Sequence, residues 1–383
     1  MFYTTSVYEE LAQELIDGTD GRMARAYIVN SGSEAMEAAV KLARQYFLEL
    51  SPAQPQRVRF ISRHQSYHGT TLGALAMSGH VYRKAKFEPL LTDKVSKVSP
   101  CYEYRGKRAS ETRKDYVDRL AQELDDEFQR LGPDTVCAFV AEPVVGATLG
   151  CVPFVEGYLE AVQAVCHRYG ALLILDEVMC GMGRCGTLHT WQQTGAIPDI
   201  QTIGKGLGGG YQAVAGVLAN HGVVNVLEKG TSVFVHGHTY QGHPAGCAAA
   251  LEVQRIIRED DLLANVRAMG ALLSKRLSDR LADHPNVGDI RGAGLFWGIE
   301  FVADKATAEP FPVEEHVAMK IAELGLTEPY SINLYPGSGT VDGLRGDHVI
   351  VSPAYSTTSA GIEEMVSIIA SLVGDFFGGR QKA

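Results

Sequence analysis

Short apolar runs alternate with segments of helical periodicity through residues 1–260. Apolar runs of strand length occupy 24–29, 57–62, 135–141, 171–175 and 213–219. Helical segments at 35–50, 70–78, 155–169 and 245–258 follow four of these runs. Apolar runs of this length, bounded by polar residues, are typical of buried parallel strands. The pattern predicts an α/β fold whose large domain has a mostly parallel sheet flanked by helices.

The pattern changes near residue 261. A long amphipathic helix is followed by strands near 286–291 and 294–302, a helix near 313–324, a glycine-rich loop at 336–346, a strand at 347–352 and a final helix. We therefore expect residues 1–260 to form the large domain and residues 261–383 a smaller C-terminal α+β domain. Residues 80–111 are polar and mixed, and they predict a long surface excursion.

Composition and charge narrow the range of functions. The 383 residues carry a formal net charge of −10, which gives no electrostatic support for nucleic-acid binding. Without a bilayer-spanning apolar run or a secretory signal, we expect a cytoplasmic protein that does not bind membranes. The seven scattered cysteines are expected to be reduced thiols. Neither Cys180 with Cys185 nor the histidines within 236–243 match a common metal pattern, so we expect no metal.

Two side chains that could take part in catalysis lie within residues 171–210. Asp176 ends an apolar run, at the carboxyl edge where open α/β sheets place their ligands. Lys205 stands between glycines, so that nothing bulky shields its amine. Taken singly, the acid is typical of a cap or turn and the lysine of a solvated surface. Together they supply an acid to hold a protonated ring nitrogen and an amine to form a Schiff base, which a pyridoxal phosphate enzyme needs.

The turn NSGSE at 30–34 joins a predicted strand to a predicted helix. Free backbone N–H groups and the helix dipole make such a turn an anion-binding site. The alternative is a plain helix N-cap at Ser33. Glu142 is a second acid at the tip of a strand, and Tyr67, just past another strand, is placed to stack on a flat ring.

Residues 181–186 also match the glycine pattern of dinucleotide-binding proteins. Gly181 stands five residues beyond the strand end at Asp176, so the tight turn is missing, and the residues that follow do not form a helical pattern. A nicotinamide-dependent oxidoreductase is therefore the weakest function considered.

Five stretches carry a family resemblance in order along the chain. They are NSGSEAMEAAVKLAR (30–44), YHG (67–69), AEPVVGA (141–147), LILDEVMCGMGRCG (173–186) with PDIQTIGKGLGGG (198–210), and HTYQGHPAGCAAAL (238–251). They resemble class III pyridoxal-phosphate aminotransferases, a fold type I family that includes ω-amine, ornithine and γ-aminobutyrate transaminases. RGAGLFWGIE (291–300) is similar to the start of the family's small domain. The resemblance covers nearly the whole chain.

This resemblance implies an aminotransferase that uses pyridoxal 5′-phosphate. An amino group would pass from an amine or ω-amino acid to a keto acid such as pyruvate in ping-pong half-reactions. Lys205 would form the Schiff base and transfer the proton, and Asp176 would pair with the pyridinium nitrogen. The other implied cofactor contacts are Ser31, Gly32, Ser33, Tyr67, His68, Glu142, Val178 and Thr239. Thr239 would reach the phosphate in the partner subunit, which implies a homodimer with shared active sites.

The segment HTYQGHP (238–244) resembles the amine:pyruvate subgroup more than the ornithine type, and it gives His238 as a substrate-binding candidate. That subgroup binds a substrate carboxylate with a mobile arginine near a Gly-Asp pair of the small domain. Arg345, just before Gly346 and Asp347, is the candidate here. The alternative is a solvated loop arginine.

The start of the chain departs from the family pattern. Family members usually carry a segment before the first helix that supplies pocket residues, whereas this chain starts at Met1, almost on that helix. We therefore expect this segment to be missing, and a catalytically impaired homologue is one alternative function. Another alternative keeps the cofactor and changes the reaction to that of an aminomutase, racemase or decarboxylase, because these enzymes share the Asp–Lys core.

Overall fold

The computed structural model describes residues 4–380. Within them, the strands are β1 Met23–Val29, β2 Arg59–Arg63, β3 Val95–Val98, β4 Val136–Ala141, β5 Val144–Val145, β6 Val152–Pro153, β7 Leu172–Asp176, β8 Ile200–Ile203, β9 Ala215–Asn220, β10 Val287–Ala293, β11 Phe296–Phe301, β12 Tyr335–Ser338 and β13 Asp347–Val351. The α-helices are α1 Ser6–Asp17, α2 Gly32–Glu49, α3 Leu72–Met77, α4 Val81–Lys84, α5 Glu103–Gly106, α6 Arg113–Leu131, α7 Tyr158–Arg168, α8 His221–Lys229, α9 Pro244–Glu259, α10 Leu262–Leu281, α11 Val317–Gly325 and α12 Ser359–Arg380.

A seven-stranded sheet in the order β1-β9-β8-β7-β4-β2-β3 forms the larger layer. The five strands from β8 to β3 run parallel, and β9 pairs antiparallel with both β8 and β1. All five residues of β7 are buried, because helices cover both faces of the sheet. Leu120 of α6 and Leu159 of α7 pack on one face, and Phe47 of α2 packs on the other. The expected mostly parallel sheet flanked by helices is confirmed.

A second, antiparallel sheet in the order β10-β11-β13-β12 forms the smaller layer. Its core contains Leu273 from α10, Ile321 from α11 and Ile369 from α12, packed against Ile299 of β11. The expected smaller C-terminal α+β unit is therefore present. Helix α9 ends at Glu259 and α10 begins at Leu262, and the exact domain boundary at residue 260 stays a prediction.

Several elements were not predicted from the sequence, among them β3, β12 and α8. Strand β3 lies within the predicted surface excursion, where it pairs with β2 at the edge of the large sheet. Its sequence VSKV is half polar and only its last residue is buried, so no apolar run marked it. Strand β12 occupies the start of the predicted glycine-rich loop, and α8 follows β9 directly.

No helix in residues 4–380 is long and apolar enough to cross a membrane. The seven cysteines are all buried and unpaired. The prediction that concerned the chain's start at Met1 lies outside the described residues.

Candidate active site

The carboxyl ends of β2, β4, β7 and β8 meet at one edge of the large sheet, where they border a cavity of about 340 Å³. The cavity is lined by Asn30, Ser31, Gly32, Ser33, Tyr67, His68, Gly69, Glu142, Asp176, Val178, Met179, Lys205, Gly210, Gln212, Ala213 and Val214. Parallel strands end on the same side of a sheet, so residues far apart in sequence converge here.

Asp176 is the last residue of β7 and is 5% exposed. Its Oδ2 lies 2.8 Å from Nδ1 of His68, and its Oδ1 accepts hydrogen bonds from Thr202 Oγ1 at 3.0 Å and from the backbone N–H of Val178 at 3.1 Å. An ionised carboxylate only accepts hydrogen bonds, and each of these three groups can donate to it. Asp176 can therefore present a negative charge to a cationic ring nitrogen.

Lys205 follows β8 and opens a short 3₁₀ turn, Lys205–Gly208. Its φ of 41° is a left-handed conformation that a residue with a side chain rarely adopts, which is typical of functional positions. The side chain is exposed to the cavity, and within residues 4–380 no hydrogen bond or ion pair occupies its amine. Lys205 thus offers an unengaged amine on the same wall as Asp176.

The N-terminus of α2 also lines the cavity. Ser31 is the N-cap, and its hydroxyl accepts from the backbone N–H of Glu34 at 3.2 Å. The alternative interpretation of Ser33 as the cap is therefore wrong by two residues. Ser33 instead turns its hydroxyl to the backbone N–H of Thr70 at 3.0 Å. No described group accepts from the backbone N–H groups of Gly32 and Ser33, which remain available for an anion.

The cavity lining also includes Tyr67, His68 and Glu142. Oε1 of Glu142 accepts from the backbone N–H of Tyr67 at 3.0 Å, and Oε2 accepts from the backbone N–H of Gly146 at 3.1 Å. Burial raises the pKa of the Glu142 carboxyl above its ordinary value. The buried Nε2 of His68 has no hydrogen-bond partner among the described residues. The half-buried Tyr67 ring borders the cavity, and burial raises the pKa of its phenol.

Val178 forms a tight apolar contact between two glycines. A Cβ atom on Gly32 would stand 2.7 Å from Val178 Cγ1, and one on Gly204 would stand 3.3 Å from the same atom. Glycine at both positions lets the helix N-terminus and the lysine turn approach the same side chain. Val178 therefore lies against both the helix N-terminus and the lysine turn.

Three predicted residues do not line this cavity in the single chain. Thr239 is exposed and lines a separate cavity of about 450 Å³ beside Thr5 and Tyr8. His238 lines that second cavity too, with Nε2 at 3.9 Å from a carboxylate oxygen of Glu34. Arg345 lies on a turn of the smaller layer, where its Nε donates to Asp342 at 2.7 Å. The roles of these three residues stay predictions.

Thr202, which holds Asp176 from the neighbouring strand, was not among the predicted site residues. Asp176 and Thr202 are partners in the parallel register of β7 and β8. Cavity residues such as Asn30, Gly69 and Gln212 were not predicted either. Gly69 was visible in the stretch YHG: its φ is 130°, and a Cβ atom there would stand 2.7 Å from Ser33 Oγ.

The cavity has the donors and acceptors that pyridoxal phosphate requires. It offers free N–H groups at a helix N-terminus for a phosphate, a buried acid for a ring nitrogen, an amine for an aldehyde and an aromatic wall at Tyr67. By contrast, residues 4–380 contain no cluster of three or more His, Cys, Asp and Glu side chains arranged to hold a metal ion.

Comparison with known proteins gives one consistent result. A family profile described as "Aminotransferase class-III" matches residues 1–373. An aminotransferase of Gibberella zeae is 57% identical over 374 residues, which cover 97% of this chain and 73% of that protein. A diaminobutyrate–2-oxoglutarate transaminase of Halomonas elongata is 34% identical, covering 93% of this chain and 75% of that protein.

The solved structures agree with the sequence matches. An (S)-enantioselective ω-transaminase from Thermomicrobium roseum superimposes with a TM-score of 0.90 at 35% identity, covering 98% of this chain and 81% of that one. Together with the sheet order, this confirms the expected fold.

Proposed function

This chain belongs to the class III aminotransferases, and on that premise we propose that it moves an amino group from an amine or ω-amino acid to a keto acid such as pyruvate. Members of the family are generally pyridoxal phosphate enzymes. The observation that carries the proposal is the convergence of Lys205, Asp176 and the N-terminus of α2 on one cavity. The names of the diaminobutyrate and ω-transaminase relatives support a donor whose amine lies away from a carboxylate.

The cavity residues divide the binding of the cofactor among them. Gly32 and Ser33 would hold the phosphate with backbone N–H groups, and Ser31 would fix the helix end by capping it. The ring would lie between Tyr67 and Val178, with Glu142 near its hydroxyl group. These assignments rest on the lining of the cavity and on the donors that the described residues leave free.

Pyridoxal phosphate, when bound, supplies an electron sink for the negative charge that develops at the amine-bearing carbon of the substrate. Asp176 would hold the proton on the ring nitrogen, and His68 and Thr202 would orient its carboxylate. Nζ of Lys205 would take the proton from the amine-bearing carbon, because it is the amine that the cavity lining offers. The keto acid would be aminated by the same groups working in reverse.

We propose in addition a homodimer in which Thr239 of one subunit completes the phosphate site of the other. The support is its exposed position outside the cavity of its own chain, next to an opening lined by His238 and Gln241.

The visible absorption spectrum of the purified protein with pyridoxal phosphate tests the proposal. We expect a band that shifts when an amine donor is added and returns when pyruvate follows. Lys205→Ala should retain the cofactor without a covalent bond and lose both shifts. Turnover at the wild-type rate in that variant would contradict the assignment. Conversion of the amino substrate without consumption of a keto acid would favour aminomutase, racemase or decarboxylase chemistry.

A further inference from the structure

The cavity contains no fixed cation for a substrate carboxylate besides Lys205, whose amine is needed for the reaction. Keto acids and ω-amino acids both carry such a carboxylate, and arginine is the side chain best suited to bind one. Two arginines on segments outside the cavity lining are candidates; a third, Arg63, is buried and donates to the carbonyl of Glu142. Arg345 is the one that the sequence suggested, and Arg83 of α4 is the other.

Arg345 is already engaged. Its backbone N–H and its Nε donate to the two carboxylate oxygens of Asp342 at 2.8 and 2.7 Å, and the backbone N–H of Leu344 donates to the same carboxylate at 2.9 Å. The pairing with Arg345 lowers the pKa of the Asp342 carboxyl despite its partial burial. A substrate would have to displace Asp342 before it could use this guanidinium.

Arg83, unlike Arg345, has no carboxylate partner among the described residues. Its guanidinium carbon lies 5.2 Å from the centroid of the Tyr67 ring, the aromatic wall of the cavity. Within residues 4–380 no carboxylate pairs with it and no hydrogen bond involves its side chain. Lys84 is the next residue of the same helix, and the ring of His80 meets the Tyr67 ring edge-on at 6.4 Å.

Stacking on an aromatic ring uses the face of a guanidinium and leaves the N–H donors at its edge free. The Tyr67 ring therefore orients the fork of Arg83 without consuming the donors that would bind a carboxylate. Because the Tyr67 ring already restricts the Arg83 side chain, less side-chain entropy is lost when a carboxylate binds.

The turn that carries Arg345 packs against the segment that carries Arg83. A Cβ atom on Gly343 would stand 2.5 Å from Cγ2 of Val81, and Nε2 of Gln65 donates to the carbonyl of Gly339 at 2.7 Å. The two arginines thus belong to one rim beside Tyr67. Asp342 occupies one of them and leaves the other free.

We propose that Arg83 binds the carboxylate of the keto acid or ω-amino acid and so determines substrate specificity, an inference that rests on the proposed aminotransferase function. Arg83 makes two parallel N–H···O bonds to the carboxylate at the rim, while the amine or carbonyl end reaches Lys205. Substrates without a carboxylate do not use this contact.

The test compares pyruvate with 1-phenylethylamine, which has no carboxylate. Holoenzyme is converted by the amine, and the return of the visible band is then followed against pyruvate concentration. For Arg83→Gln, the pyruvate concentration that gives half the maximal rate should rise by about 10- to 100-fold, the factor expected for a charge-assisted pair. The concentration of 1-phenylethylamine needed for half conversion should change by less than about threefold, well below that factor.

Two control variants separate the possible causes. Lys84→Gln removes the same charge one residue along, away from the Tyr67 ring, and should leave the pyruvate dependence near that of the wild type. Arg345→Gln should have a smaller effect than Arg83→Gln. A retained amine response with an unchanged pyruvate dependence in Arg83→Gln would overturn this inference alone, as would a larger effect of Arg345→Gln. A wild-type protein whose spectrum never responds to an amine would overturn the proposed function and this inference with it.

Discussion

Gly32 begins α2 against Val178, and its replacement by alanine measures how tightly the phosphate wall of the cavity is built. The added Cβ would stand 2.7 Å from Val178 Cγ1 and 3.0 Å from Cγ2. Carbon atoms in contact normally stand about 3.5–4.0 Å apart. Either the helix N-terminus or Val178 must therefore move by about 1 Å to reach an ordinary contact distance.

Two opposing effects determine how much Gly32→Ala changes the free energy of unfolding. Forcing extra atoms into a packed site costs about 1–3 kcal/mol. Alanine instead of glycine restricts the unfolded chain and returns about 0.4–1 kcal/mol. We expect the free energy of unfolding of Gly32→Ala to fall by about 1–2 kcal/mol in urea titrations. Because the displaced N–H groups would bind the phosphate, we also expect weaker retention of pyridoxal phosphate on dialysis.

A matched control and a double variant test whether the contact with Val178 causes the loss of stability. Gly374 lies in α12, where no described atom outside the helix's own backbone stands within 4 Å of an added Cβ, so Gly374→Ala should be stabilising by about 0.4–1 kcal/mol. Val178→Ala removes both Cγ atoms. The double variant Gly32→Ala with Val178→Ala should be more stable than the sum of the single effects by about 1–2 kcal/mol. Additive effects of the two substitutions would refute the proposed contact.

Two further predictions concern acids at the end of β7. Asp176→Asn should slow the amine half-reaction by about 10- to 100-fold in stopped-flow absorbance, because an amide cannot balance a protonated ring nitrogen; an unchanged rate would exclude Asp176 from the mechanism. Burial raises the pKa of Glu177 from 4.5 to about 7, so the folded state holds a proton that the unfolded chain releases first. The contribution of Glu177 to the free energy of unfolding should therefore fall by about 3 kcal/mol as pH rises from about 4.5 to about 7. In urea titrations across that range, the change with pH should differ by this amount between the wild type and Glu177→Gln; equal slopes would contradict the assignment.

The positions of Asp176 and Lys205 were predictable because each depends on local pattern. A buried strand that ends in an acid places that acid at the sheet edge, and a lysine between glycines after the next strand lies beside it. The third partner, Thr202, was not predictable. Its contact with Asp176 depends on the register of β7 against β8, and a single sequence does not specify register between strands that are 23 residues apart.

The edges of the fold were harder to predict than its centre. Strand β3 is flanked by one neighbour only and half of its residues are polar, so it resembled a surface excursion. The cap of α2 was misplaced for a related reason. Ser31 and Ser33 are both good caps, and the choice depends on which one the turn places in an extended conformation; Ser31 has φ −146° and ψ 155°.

The contacts of Asp176 show why the cavity walls act together. A buried carboxylate is stable only when hydrogen bonds replace the lost water. Its three donors come from three segments, and each of them also builds another part of the cavity: His68 follows Tyr67, Val178 packs against Gly32, and Thr202 lies in the strand that leads to Lys205. Movement of any wall therefore changes the surroundings of the acid. For this reason a substitution at the phosphate wall, such as Gly32→Ala, should alter the chemistry at Asp176 as well as the affinity for the phosphate.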